Sequence, residues 1–357
     1  MAARSDRRSP APVHELTERP ARACDPVPRA ATDARARELQ PGMWSLQIPL
    51  RYLSVASVNA YLLRSEDGWI VWDCGSQMEP GWDAMELALG QAGVRPDEVT
   101  LLIASHAHTD HRGLAAEFVD RTGARLATSP EPHPLLDVMR DPMIPFEIRR
   151  ERALREGVPE FLATAIVDEL PGNDGRYPDA APDLVLEPGA IVQTVVGTWE
   201  VLALPGHGAD QIGMFNRGLG YLLSADLAFP GLPPYLEYGT RPDPHADQLR
   251  SLEAAIALEP ELLLPGHGRP APGAVDVLRG CRAQVLGRAD SVLDAIEDPG
   301  LTAWDVAVAL TPPGSLTDVY QRSFAEVLCV LEHLELHGRA HGVLDERRRR
   351  VWAPGDA

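Results

Sequence analysis

The sequence predicts an α/β protein with a helical unit at its C-terminal end. Three observations carry that expectation. Short apolar runs bounded by Gly, Pro and polar turns recur between residues 43 and 264, which is the signature of strands. Segments with a helical apolar period stand between several of these runs, as in βα units. His- and Asp-bearing motifs stand directly behind apolar runs, where strand ends in α/β folds carry their chemistry.

The chain's 357 residues allow one large domain and a smaller one. With 45% apolar and 24% charged residues the composition is that of a soluble globular protein. No apolar run approaches the roughly 18 residues of a membrane helix, so no membrane span is expected. The N-terminal region lacks the apolar stretch of a secretory leader. Cys24, Cys74, Cys281 and Cys329 are scattered with no C-x-x-C pair, which predicts reduced thiols and a cytoplasmic location. The formal charge is −19, and every cationic side chain is Arg, with no Lys. The Arg bias reads as the mark of a GC-rich genome. The acidity disfavours nucleic acid, whose affinity comes largely from cations that neutralise phosphates.

Residues 1–40, rich in Ala, Arg and Pro with no hydrophobic period, read as a disordered tail. Residues 41–273 read as the catalytic domain. Strands are predicted at 43–50, 58–63 and 69–72, the third ending in Asp73-Cys74-Gly75. A helix over 82–92 is closed by Gly93, and a buried strand follows at 100–105. A helix over 114–121 and a strand at 125–128 come next. Residues 131–172, with Phe146, Leu154, Phe161 and Ile166 among their apolar positions, predict a helical insertion that serves as a lid or as extra packing. Strands return at 184–186, 190–195, 199–204 and 220–223, then a helix at 249–257 and a strand at 262–264. Residues 274–357 predict helices over 275–296, 302–310 (with Thr302 as N-cap) and 319–336, then a hairpin over 341–352. Three helices and a hairpin describe a winged-helix-like domain.

Function is carried by four pieces. Ser105-His106-Ala107-His108-Thr109-Asp110-His111 follows the run at 100–104. Pro205-Gly206-His207-Gly208, Ser224-Ala225-Asp226 and Pro265-Gly266-His267-Gly268 each follow an apolar run of their own. His-x-His places two imidazoles on one tight loop, able to grip one ion, while Asp110 and His111 can turn towards a second. Imidazole with carboxylate suits zinc, with iron or manganese as alternatives. A further His completes each half-site, and Asp226 supplies a carboxylate able to bridge. Two such ions can share a hydroxide and polarise a carbonyl or phosphoryl oxygen.

In these motifs, over about residues 42–272, the chain resembles the metallo-β-lactamase-fold hydrolases. The resemblance implies a four-layer αββα fold of two stacked mixed sheets flanked by helices. It implies two divalent metal ions: His106, His108 and His207 on the first, Asp110, His111 and His267 on the second, and Asp226 between them. Asp73 matches the family's early aspartate, which orients a ligand from behind. The C-terminal portion is similar to the winged-helix appendage of one branch. The chain departs from the family pattern at Gly208, where Thr or Ser is common, and at Ala225, where Gly is common.

Asp226 resembles the branches that cleave thioesters (glyoxalase II-like), lactones and phosphodiesters, rather than the exported β-lactamases. The expected reaction is hydrolysis of a small-molecule carbonyl ester of the thioester or lactone class through a metal-bound hydroxide. Asp110 would orient the nucleophile or protonate the leaving group. Tyr235 and Tyr238 are candidates for contact with a substrate oxygen, and Arg112 reads as a surface residue at a helix start. One rival is a phosphodiester or RNA hydrolase at the same site. Arg347-Arg348-Arg349-Arg350 in the presumed wing favours it, although alternation in a hairpin would turn only two of the four to either face, and a solvated face or a homodimer contact is the alternative use. A second rival is an oxygenase of persulfides with one iron. A third is a DNA-binding regulator with a metal-sensing domain.

Overall fold

The computed structural model describes residues 30–50, 56–131, 150–165, 180–231, 235–297, 300–311 and 323–355. One sheet runs β1 (Arg35–Gln40), β2 (Met43–Pro49), β3 (Ser57–Arg64), β4 (Trp69–Trp72), β5 (Val99–Ile103), β6 (Arg125–Thr128) and β7 (Leu184–Val185) in spatial order. The first four strands are antiparallel neighbours, and β4 to β7 pair in parallel. The second sheet comprises β8 (Ile191–Thr194), β9 (Gly197–Ala203), β10 (Ile212–Asn216), β11 (Tyr221–Ala225), β12 (Leu262–Pro265) and β13 (Ala271–Pro272), again in spatial order.

The two-residue side-chain period sorts each strand into two cores. On β3, Val58, Ala60 and Leu62 face outward to α1 (Gly81–Gln91) and α3 (Ala115–Thr122), packing on Trp82, Met85, Leu89 and Phe118. Tyr61 and Leu63 face the other way, into a core shared with Trp199, Val201, Met214 and Leu223 of the second sheet. The outer face of that sheet, with Phe215, Leu222 and Leu263, packs on α5 (Pro244–Ala257) and α6 (Ala274–Ala295) through Leu252, Ala255 and Leu278. The layers therefore run helix, sheet, sheet, helix. Between α1 and α3 lies the short α2 (Thr109–Arg112), and α4 (Glu160–Ala165) lies in the insertion.

Beyond α6 the order is β14 (Leu301–Thr302), α7 (Ala303–Leu310), α8 (Ala325–Leu336), β15 (Ala340–Leu344) and β16 (Arg350–Pro354), the strands forming a small sheet with β16 in the middle. Thr302 caps α7 as expected: its hydroxyl accepts from Asp305 N–H and the Asp305 carboxylate accepts from Thr302 N–H.

The structure differs from expectation at several places. The tail does not extend to residue 40: Ala34 is fully buried against α1, and Arg35–Gln40 pairs with the edge of β2. Residues 1–29 lie outside the described residues. The insertion is helical over 150–155 and 160–165, while 132–149 and 166–172 lie outside the described residues. Ala153, Val158 and Leu162 of the insertion join Val292, Trp304, Leu328 and Leu331 in one core, so insertion and C-terminal helices are packed as a unit. Gly157 makes that approach feasible, since a Cβ there would overlap the Thr302 side chain. The arginine run does not alternate along a strand. Arg347 and Arg348 are exposed in a turn, Arg349 is ion-paired to Asp345, and Arg350 is bonded to Glu335 and stacked on Trp352. No helix among the described residues is long and apolar enough to cross a membrane.

Candidate metal centre

β4 and β5 are parallel. β9 and β11 are each antiparallel to β10, and β12 is parallel to β11, so β9, β11 and β12 run one way. The C-terminal ends of these five strands deliver Asp73, the His106–His111 loop, His207, Asp226 and His267 to one pole. Bonds between the sheets hold that pole closed. Ile212 N–H donates to Ser105 O at 2.9 Å and Asn59 N–H to Gly266 O at 2.7 Å. The Asn59 amide donates to Pro265 O and Gly268 O, both at 2.9 Å, and the Tyr61 hydroxyl to Pro265 O at 2.8 Å.

All seven predicted ligands converge there, in overlapping groups suited to a metal ion. His108 Nδ1 lies 3.1 Å from His106 Nε2 and 2.8 Å from His207 Nε2. These spacings are close to the roughly 3.3 Å edge of a tetrahedron with metal–nitrogen bonds of about 2.0–2.1 Å. Asp110 Oδ2 lies 3.2 Å from His267 Nε2 and 3.7 Å from His111 Nε2. Asp226 stands between the groups. Its Oδ1 is 3.4 Å from His111 Nε2, and its Oδ2 is 3.4 Å from His207 Nε2 and 3.2 Å from His267 Nε2.

The ring orientations are set from behind. His111 Nδ1–H donates to Asp73 Oδ2 at 2.8 Å, His207 Nδ1–H to Tyr235 O at 2.6 Å, and His267 Nδ1–H to Ser57 O at 2.8 Å. Ser105 Oγ donates to Asp73 Oδ2 at 2.9 Å and accepts from His106 Nδ1–H at 2.9 Å. Each of these four imidazoles therefore turns Nε2 to the centre as a lone-pair donor.

Charge is also in place for cations. Burial, reinforced by neighbouring imidazoles, holds His106 well below its usual value and His207 down to about 4, so both are neutral donors. Burial also works against protonation of His111 and His267, but Asp226 and Asp110 outweigh it, raising His111 well above its usual value and His267 to about 10. Burial works against ionisation of Asp110 and Asp226 too, yet the facing imidazoles hold both below the ordinary carboxylate range. A cation at those nitrogens displaces the protons.

The pocket fits metal ions by two further signs. His111 Nε2 and Asp226 Oδ1 are buried without a hydrogen-bond partner among the described residues. A Cβ at Gly266 would overlap Asp226 Oδ1 and lie 2.7 Å from His111 Cε1, so only glycine leaves this space open.

The remaining predicted residues sit differently. Tyr235 reaches the site through its backbone carbonyl, with its ring centroid 6.1 Å from that of His207. The expectation for Tyr238 is corrected: its hydroxyl donates to Glu332 on α8 at 2.5 Å, and Arg152 stacks on its ring. Arg112 is buried rather than on the surface, and donates to Ala180 O at 2.9 Å. Sequence reasoning missed Glu237, whose Oε2 lies 3.5 Å from His108 Nε2. Burial opposes protonation of His108, and Glu237 more than offsets it, raising His108 above its usual value. Of the two departures, Gly208 leaves 3.4 Å between a notional Cβ and His106 Cδ2, room for a Cβ in ordinary contact. Ala225 adopts φ 45°, the region where glycine is favoured.

Residues 53–267 match the model of the metallo-beta-lactamase superfamily. The chain belongs to that superfamily. Among curated proteins it is similar to the probable metallo-hydrolase YqjP of Bacillus subtilis (strain 168), 23% identical over 287 residues that cover 75% of this chain and 84% of the relative. Among solved structures it is similar to the metallo-beta-lactamase family protein TTHA1429 of Thermus thermophilus, with a TM-score of 0.75 and 24% identity over 89% of this chain and all of that one (100%). A beta-lactamase domain protein from Burkholderia ambifaria superposes with a TM-score of 0.70 and 23% identity, covering 93% of this chain and 98% of the other. The family match makes the chain a member of a metallo-hydrolase superfamily, and the two structural likenesses bear on its fold alone.

Proposed function

We propose that the protein is a dinuclear metal-dependent hydrolase of carbonyl esters, with thioesters or lactones as the substrate class and zinc as the ion. The observation that carries this reading is Asp226, whose Oδ2 lies between His207 of one group and His267 of the other while its Oδ1 faces His111. When bound, two ions would acidify a water and polarise the substrate carbonyl.

The chain's own residues supply the rest. His106, His108 and His207 would hold one ion, Asp110, His111 and His267 the other, and Asp226 both. Asp110 and His108 have the most open side chains of the group for which exposures differ, 19% and 16% against 0–9% for His111, Asp226, His207 and His267. Substrate therefore arrives over these two. Asp110 stands where its carboxylate can orient the attacking water and pass a proton to the leaving oxygen or sulfur. Asp73, Ser105, Ser57 O and Tyr235 O keep the imidazoles in one tautomer during turnover.

The phosphodiesterase reading keeps only Arg347 and Arg348 of the arginine run, because Arg349 and Arg350 are engaged within the fold. The C-terminal unit, read as a winged-helix-type appendage, is here a structural buttress. The test is metal analysis of the purified protein, followed by assay against thioesters, lactones and bis-nitrophenyl phosphate. Two zinc-type ions per chain with ester turnover support the proposal; one iron and no zinc, or turnover of the phosphodiester alone, overturns it. Asp226→Ala is expected to weaken metal retention and nearly abolish turnover.

A further inference from the structure

A second set of metal-type donors lies away from that centre, where α5 meets α8. Asp243 is the N-cap of α5, and its Oδ1 accepts from Ala246 N–H at 2.9 Å. Oδ2 remains directed at α8. His333 Nδ1 lies 3.0 Å from Asp243 Oδ2, and His337 Nε2 lies 3.6 Å from the same oxygen. His333 lies in the last turn of α8 and His337, its C-cap, follows four residues on, the spacing that puts two side chains on one face. Their ring centroids are 4.5 Å apart. The donor atoms of Asp243, His333 and His337 all fall within 4.8 Å of one another.

An independent observation points to a ligand. His245, in the first turn of α5, is only 1% exposed, and neither ring nitrogen has a hydrogen-bond partner among the described residues. Its ring centroid lies 4.6 Å from that of His333, against the trio. A buried imidazole with both nitrogens unsatisfied carries the full desolvation penalty of each. Nothing among the described residues recovers that cost, whereas a metal ion beside it would. The last carbonyls of α8, a helix of 12 residues, favour a cation at this point, and the Asp243 carboxylate offsets the positive N-terminal end of α5.

We propose that Asp243, His333 and His337, with the unpartnered ring of His245 packed against them, form a divalent transition-metal site that ties α8 to α5. One carboxylate oxygen and two imidazoles suit zinc, cobalt or nickel rather than magnesium or calcium, which prefer all-oxygen ligands. The site is structural. It joins a helix of the catalytic layers to a helix of the C-terminal unit. α8 also bears Glu332, which accepts from Tyr238, and Cys329, beside the Leu236 carbonyl. The ion would therefore steady the 235–238 segment, which supplies Tyr235 O and Glu237 to the catalytic imidazoles.

The test uses the untagged full-length protein, stripped with chelator, reloaded with Zn2+ and desalted before elemental analysis. The wild type should retain one equivalent more than His333→Ala/His337→Ala, whatever the occupancy of the catalytic centre. Asp226→Ala should keep this equivalent, which separates failure of this proposal from failure of the dinuclear reading. His337 is 56% exposed in its side chain, so His337→Ala alone removes a donor without opening the core. It should weaken the extra equivalent at least tenfold and reduce the rise in Tm that Zn2+ produces. Equal zinc content in the wild type and the double variant, or a His337→Ala protein with unchanged affinity and an unchanged Zn2+-induced Tm shift, overturns the proposal.

Discussion

Asp73→Asn isolates the contribution of one buried carboxylate to metal binding. Asp73 is fully buried at φ 60°, a conformation that Asn tolerates as well as Asp, so the exchange leaves the backbone in place. Its two oxygens accept three bonds: Ser105 N–H at 2.7 Å on Oδ1, and the Ser105 hydroxyl and His111 Nδ1–H on Oδ2. An asparagine can keep its oxygen on Ser105 N–H, and the Ser105 hydroxyl can rotate to accept from its NH2 group, but that group also faces His111 Nδ1–H, donor against donor. Relief requires His111 to move its proton to Nε2, the atom that faces Asp226. A lost charge-assisted bond of this kind is worth about 1.5–3 kcal/mol, which at roughly 1.4 kcal/mol per factor of ten means about 10- to 150-fold. That range meets the 10–100-fold expected when the partner behind a metal-bound imidazole is removed. Titration of stripped protein in competition with a chromogenic chelator reads the effect. One ion should bind about 10- to 100-fold more weakly, while the ion held by His106, His108 and His207 stays within about threefold. If Asp73→Asn binds both ions as the wild type does, the idea that Asp73 fixes the His111 tautomer is refuted.

Two further outcomes follow from the geometry. Gly266→Ala places a methyl group against Asp226 and His111; it should cost about 1–3 kcal/mol in denaturant unfolding and abolish metal binding to the Asp110–His111–His267 group, and normal metal content would count against the pocket as described. Glu156 is fully buried with both carboxylate oxygens unbonded among the described residues, while the Arg155 and Arg350 guanidiniums lie 3.8 and 3.9 Å away. Burial raises its pKa despite Arg350. The folded state thus binds a proton more readily than the unfolded chain, so this group's contribution to stability falls as pH rises from its ordinary value through the raised one. Glu156→Gln should remove that dependence and stabilise the protein above the window by about 1 kcal/mol. Urea midpoints of both proteins across pH 4–8 check it, and parallel curves would show that Glu156 is not the group responsible.

The metal centre is legible because each piece of it is local in sequence. A strand, a sharp turn and a His or Asp form a unit of a few residues, and the order of such units along the chain gives the ligand set. What holds the ligands is less legible. Ser57 O and Tyr235 O act through backbone carbonyls, which every residue has, so no residue type marks them. Glu237 meets His108 only after the second sheet is folded onto the first. β1 escapes a sequence reading because Arg35–Gln40 is an exposed edge strand whose composition carries no alternation to a core. β10 escapes it because it is five residues long and contains Gly213. That glycine lies where a Cβ would come within 2.7 Å of Leu223 O and overlap Leu204, so close packing, not a turn, accounts for it. The arginine run shows the opposite failure: a strong local signal whose meaning depends on Asp345 and Glu335, the second of them on α8.

Backbone strain marks the same pole as the ligands. Among the described residues, four non-glycine positions have positive φ, and two of them are Asp73, directly after β4, and Ala225, the last residue of β11. A left-handed alanine costs about 1–2 kcal/mol. The Ala225 methyl, fully buried between the sheets, returns roughly 0.8 kcal/mol of that. The remainder is sustained by the bond from Gly266 N–H to Ala225 O at 2.8 Å, which locks the end of β11 to the loop after β12. The left-handed turn at Ala225 breaks the strand's alternation, and the register between β11 and β12 shifts there. Asp226 is thereby directed out of the sheet and between the two imidazole groups. Ala225 thus holds a turn of the kind that favours glycine, with its strain borne by packing and by one inter-strand bond.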